Sequence, residues 1–120
     1  MSQLSLMDLA FFISESDASS KHVAGLQICS KPAGARAGFV KGLYDDYLTH
    51  MDVAPPFNRV INFSLTAMPS WTTVDNVDLA DHVFFHKLPA KKNGRAGLYE
   101  FISKLHEPLL ARERPLWEVH

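Results

Sequence analysis

Cysteine is nearly missing from this sequence: Cys29 is the only one among 120 residues. One cysteine makes no internal disulfide and no Cys-rich zinc site, which suits a reducing compartment. Charge of one sign is missing too. Twelve Lys and Arg stand against thirteen Asp and Glu, a formal net charge of -1. Nonspecific nucleic-acid binding runs on excess positive charge, so no nucleic-acid partner is expected. No stretch approaches the roughly 20 apolar residues that a membrane span needs. The run Leu9-Ala10-Phe11-Phe12-Ile13 is short, follows Asp8 and has no basic flank, so it does not read as a secretory signal. A cytoplasmic protein is expected, with peripheral contact to a membrane or lipid inclusion left open. Phosphate-cradling Gly loops and a Gly-x-Ser-x-Gly elbow are also missing. What is present is globular in kind: 47% hydrophobic and 21% charged residues, enough for one small domain or part of a larger one.

Apolar spacing predicts the elements. Ser5 and Asp8 stand in capping-box spacing ahead of a short helix running to about Ser14, with Met7, Ala10 and Phe11 on one face, widened by Leu6, Leu9 and Ile13. Ser14–Ser20 is polar and reads as a loop. His22–Ser30 carries apolar residues on both alternating sets, the pattern of a strand covered on both faces. Pro32-Ala33-Gly34 makes a turn. Arg36–Met51 is the clearest helix, with Phe39, Val40, Leu43, Tyr44, Tyr47, Leu48 and Met51 at helical spacing. Pro55-Pro56 bars its continuation.

Phe57–Leu65 reads as a strand, Pro69 breaks it, and Trp71–Val74 reads as another. Asp75–Asp81 is an acidic loop, His82–Leu88 a strand and Pro89–Gly94 a basic turn. Arg95 to about His106 is a second amphipathic helix, with Leu98, Phe101, Ile102 and Leu105 inward. Pro115–His120 opens a further strand. Helices mixed with strands predict an α/β layer architecture. An apolar strand at the end of the chain leaves two readings: a short edge strand, or a piece of a longer protein. The second is expected, because an unpaired hydrophobic edge is an aggregation hazard.

Composition and spacing give no catalytic constellation. His82 and His86 would share a helix face, but on a strand they lie about 13 Å apart, too far for one metal ion. No metal site is expected, and the histidines read as core or surface residues. Cys29 is expected to pack as a small hydrophobe. Lys91, Lys92 and Arg95 form a basic loop tip, read as a solvated turn ahead of an anion contact. Pro115-Leu116-Trp117-Glu118 is the most distinctive stretch. Pro115 presets an extended entry, Leu116 and Trp117 bring a large apolar load, and Arg112 or Arg114 is placed to pair with Glu118. A core strand with a rim ion pair and a support beneath an active site are both open readings of it.

Several stretches, in order, resemble the N-terminal part of the bacterial wax ester synthase/diacylglycerol acyltransferase family. Leu4-Ser5-Leu6-Met7-Asp8 with Phe11, Phe12 and Glu15 resembles the family's opening. His22-Val23-Ala24-Gly25-Leu26-Gln27-Ile28 resembles its His-Val-Gly-Gly-Leu-Gln strand. Val53–Asn58, Asp78–Val83, Leu88-Pro89 and Leu105-His106 fall in family order, and Arg112–His120 is the most specific match. Each motif alone is weak; together they span nearly the whole chain in order. The chain departs from the family at Ala111, where an Asp is common, at Ala24 and at Lys21.

The resemblance implies residues 1–120 of an acyltransferase N-terminal domain, within a two-domain sandwich like chloramphenicol acetyltransferase. It implies transfer of a fatty acyl group from acyl-CoA, as substrate and with no cofactor, to a long-chain alcohol or diacylglycerol. The family's catalytic signature, His-His-x-x-x-Asp-Gly, is absent from this chain, so no catalytic residue is assigned in it and the isolated piece is expected to be inactive. The rest of the protein is the implied partner. Pro115, Leu116, Trp117 and Glu118 are implied supports of the active-site wall, and Leu9 and Phe12 acyl or lipid contacts. The alternative is a non-catalytic α/β module that binds acyl chains or lipid.

Overall fold

The computed structural model describes residues 2–120. Its sheet has three short antiparallel strands in the order β1-β3-β2: β1 is Ser2–Gln3, β2 Arg59–Asn62 and β3 Ser70–Thr73. Ile61 faces Trp71 across β2 and β3, and Ser2 faces Trp71 from the other side. The sequence places the β2 and β3 strands correctly but draws β2 too long at both ends. It does not foresee β1, whose two polar residues carry no alternation.

Three helices accompany the sheet: α1 Leu6–Ser14, α2 Phe39–His50 and α3 Arg95–His106. The capping box opens α1 as the spacing predicts: Asp8 N–H donates to Ser5 Oγ at 3.1 Å, and Ser5 N–H to Asp8 Oδ2 at 3.3 Å. The face of α1 turned inward differs from the expectation. Leu9 and Phe12 are half-buried, while Leu6, Met7, Phe11 and Ile13 are exposed. Helix α2 starts three residues later than expected, because Gly38 precedes it in the left-handed region at φ 87°, which ordinary residues avoid. Four of the seven residues in its apolar stripe, Val40, Leu43, Tyr47 and Met51, are exposed. Helix α3 has the expected bounds and presents Leu98, Phe101, Ile102 and Leu105 inward, each half-buried.

Three expected strands are not formed. His22–Ser30 has no regular secondary structure, and Val23 is 93% exposed. Strand geometry needs a neighbour for its N–H and C=O groups, and no described residue pairs with this segment in a ladder. Cys29 is therefore exposed rather than packed. His82–Leu88 and Pro115–His120 meet at a single parallel bridge, Val83 with Val119. Val119 N–H donates to the His82 carbonyl at 2.7 Å, and Phe84 N–H to the Val119 carbonyl at 2.8 Å.

Among the described residues Ile61 and Val83 are the buried core hydrophobics, at 6% and 4% exposure, and Pro115 and His82 are buried as well. The molecule is a slab of 57 × 33 × 17 Å with a radius of gyration of 17.4 Å. A compact chain of this length has a radius of about 13–14 Å. Its surface of 9379 Å² exceeds the roughly 6,500 Å² expected for a closed globule of this mass. Apolar faces thus lie open. No helix among the described residues is long and apolar enough to cross a membrane.

Candidate functional site

One of these open faces holds a cavity of about 770 Å³. Helix α3 supplies Leu98, Phe101, Ile102 and Leu105; Phe12 closes one end, the segment after Lys21 another, and Leu116–His120 the far wall. Its size falls within the range of small-molecule sites, and its lining is mostly apolar with a few polar groups. An elongated apolar ligand with one polar end suits such a lining.

The far wall is fixed from behind. Trp117 Nε1–H donates to the Phe57 carbonyl at 2.7 Å, and its ring stacks on buried His82 at 4.4 Å. His82 Nδ1–H donates to the Trp117 carbonyl at 2.8 Å. The carboxylate of Glu118 is held at both oxygens: Arg114 Nη2 lies 3.1 Å from Oε1, and His120 Nε2 lies 3.0 Å from Oε2. Arg114 is itself anchored on the Asp81 carbonyl at 2.8 Å. His120 Nδ1 meets His86 Nε2 at 2.9 Å, and the His120 ring stacks on Phe84 at 4.8 Å. Partial burial, and then the charge of His120, hold the His86 imidazole below its ordinary pKa of 6.5.

A second fastening closes the other end. Arg112 Nη2 reaches Glu15 Oε1 at 3.1 Å and the Phe12 carbonyl at 3.2 Å, while its guanidinium lies over the Phe12 ring. A cation placed on the last carbonyls of α1 is favoured by the helix dipole. Nearby, His22 Nε2–H donates to the His106 carbonyl at 3.0 Å, leaving His22 Nδ1 buried without a partner.

Of the residues the sequence singles out, Leu116, Trp117 and Glu118 line the cavity, and Pro115 is buried behind them. Phe12 lines it; Leu9 does not. Arg114, not Arg112, is the partner of Glu118. The sequence reading takes the histidines as core or surface residues and pairs none of them, yet His120 pairs with His86, and His22 with His106. One local signal existed for a neighbouring contact only: Glu118 and His120 are two apart, so they share a face of any extended segment. Both histidine pairings join positions far apart in sequence and left no local sign. Among the described residues, no three His, Cys, Asp or Glu side chains cluster closely enough to hold a metal ion.

Comparison with known proteins places the chain in a class. The whole chain superposes, with a TM-score of 0.92 and 37% identity, on the wax ester synthase/diacylglycerol acyltransferase from Marinobacter aquaeolei VT8, and covers 29% of that chain. Residues 4–120 match the wax ester synthase/diacylglycerol acyltransferase catalytic domain, and the chain belongs to that family. It is 39% identical over 119 residues to a putative diacylglycerol O-acyltransferase of Mycobacterium tuberculosis H37Rv, covering 98% of this chain and 26% of the relative. A probable diacylglycerol O-acyltransferase of the same organism, Tgs4, is 32% identical over 120 residues, which is 25% of its length. The chain thus spans about a quarter of the length of these relatives. The α/β fold with a small antiparallel sheet is the acyltransferase type seen in the Marinobacter protein.

Proposed function

We propose that this chain is the N-terminal segment of an acyl-CoA-dependent O-acyltransferase, which moves a fatty acyl group to a long-chain alcohol or a diacylglycerol. The observation that carries the reading is the superposition over the full chain on an acyltransferase, made by a segment that holds an open, apolar cavity. In this reading the exposed apolar faces of α1, α2 and residues 22–30 are covered by the rest of the polypeptide, which completes a two-domain sandwich. Pro115, Leu116, Trp117 and Glu118 form the rigid wall behind the reacting groups, and Phe12 touches the acyl chain. Leu9 sits outside the cavity lining and is a contact for lipid or for the covering polypeptide. The attacking alcohol must lose its proton to a base. Family resemblance assigns that base to the His-His-x-x-x-Asp-Gly signature, which this chain does not contain. The cytoplasmic face of a lipid inclusion is the proposed place of work.

A chimera tests this directly. Residues 1–120 replace the matching segment of the Marinobacter protein, and ester formation from palmitoyl-CoA is measured with hexadecanol and with dipalmitoylglycerol. Ester formed with either acceptor supports the reading. A folded chimera that binds acyl chains but makes no ester favours the non-catalytic lipid-binding module instead.

A further inference from the structure

Phe12 lines the cavity, and three groups outside that lining hold its ring. Phe63 meets it edge-on at 6.0 Å, Trp71 of β3 meets it at 5.8 Å, and the Arg112 guanidinium lies 5.2 Å from its centre. The same guanidinium lies 5.7 Å from the Phe63 ring, so one cation spans both aromatic faces. Two hydrogen bonds set its place: Arg112 Nη2 donates to the Phe12 carbonyl, in the last turn of α1, and to Glu15 Oε1. Glu15 is a firm anchor, because its side chain is mostly buried and its other oxygen accepts from Lys21 N–H at 3.2 Å. These contacts also give the cavity a direction. Lys21 leads into His22, which holds the His106 carbonyl in the last turn of α3, so Phe12 belongs to the C-terminal end of that helix. His120 approaches α3 through His86, whose ring packs on Phe101, about 7–8 Å earlier along the axis. The carboxylate–imidazole pair of the wall and Phe12 therefore stand at different turns of α3.

We propose that Phe12 is a specificity-determining residue, which sets the upper length of the alkyl chain that the cavity takes, and that Arg112 is the positioning residue that keeps its ring in place. The inference deepens the acyltransferase reading and rests on it for the ligand class, a saturated alkyl chain of the acyl-CoA or of the alcohol. A chain running along the apolar face of α3 toward its C-terminal end meets the Phe12 ring. That ring is packed on the sides away from the cavity and has nowhere to retreat. Methylenes beyond that point stay out of the apolar site and add no affinity. A smaller side chain at position 12 lets further methylenes in, and a larger one excludes some that now fit.

The test uses the chimera and two ligand series with chains of roughly 12, 16 and 20 carbons, one of acyl-CoAs and one of primary alcohols. Binding is read by equilibrium partitioning of labelled ligand below the micelle concentration. Phe12→Ala should raise the affinity ratio of the longest to the middle chain at least about fourfold, the worth of one more buried methylene. The series in which the ratio moves identifies whose chain reaches Phe12. Phe12→Trp should lower the ratio of the middle to the shortest chain by a similar factor. Arg112→Met keeps the aromatic ring but unpins it, and should raise the longest-to-middle ratio about twofold, while Arg112→Lys, which keeps the cation, should restore part of the wild-type ratio. A merely structural role would change all lengths alike. A thermal melt establishes that each variant is folded, and Phe12→Leu replaces Phe12→Ala should the alanine variant not fold. Ratios unmoved in both series, or equal losses at every length, would overturn the proposal, and unmoved ratios in Arg112→Met would overturn the positioning role. If the unsubstituted chimera makes no ester yet its length ratios move with position 12, the acyltransferase reading fails and this end wall stands. Ester formation with unmoved ratios keeps that reading and sinks the inference.

Discussion

Gly97 stands where a methyl group has no room. A Cβ built there would lie 2.1 Å from the Lys92 carbonyl oxygen, which is backbone and cannot swing aside. Alanine is the better helix former by about 1 kcal/mol, so propensity alone favours Gly97→Ala. The clash decides the sign: overpacking of this kind costs about 1–3 kcal/mol, and the variant should melt lower in a thermal scan. Arg112 gives a second contrast. Its partner Glu15 has a side chain only 12% exposed, and its guanidinium also caps the Phe12 carbonyl. Arg112→Met should therefore cost about 1–3 kcal/mol, by leaving a half-buried carboxylate and carbonyl with fewer donors. Lys41 pairs with Asp45 on the exposed side of α2, and Lys41→Met should change stability by less than about 1 kcal/mol when both variants are compared by urea titration. The sign at Gly97 was never in reach of the sequence: nothing in the letters says that Gly97 lies against a carbonyl.

Among the elements, legibility follows how local the cause is. Helix α3 needs only its own apolar spacing, and the sequence places both its ends. Helix α1 needs only Ser5 and Asp8 to start. The segments His22–Ser30, His82–Leu88 and Pro115–His120 were misread because a strand is a pairing, and a pattern cannot supply the neighbour. The seam between the last two has a testable pH dependence. His86 has a lower pKa folded than the ordinary 6.5, so the folded state binds fewer protons near neutrality. Its contribution to stability is full above about pH 6.5 and is lost as pH falls through the lowered folded value. Exchange of the Val119 and Phe84 amides, which close the seam, should lose protection as pH drops from 7.5 to 5.5, after correction for intrinsic rates. His86→Phe should flatten that dependence.

For the whole molecule, the slab shape is the informative fact. A chain of near-average composition has the apolar residues to close a globule, yet it keeps Val23, Leu26, Ile28, Leu43 and Tyr47 in solvent. Such a surface is what a domain looks like when part of its packing comes from elsewhere. The cavity was not legible in the sequence, because its walls come from four separated stretches. The wall residues Leu116, Trp117 and Glu118 were legible, because Pro115 and the aromatic load mark a rigid extended segment. The central proposal is that this chain forms one wall of an acyl-transfer cavity that other polypeptide completes. Amide exchange over residues 22–30, compared between the isolated chain and the chimera, tests it most directly. The account predicts exchange near the unprotected rate in the chain alone and strong protection in the chimera, where the added polypeptide is proposed to cover this segment. Equal, rapid exchange in both would contradict it.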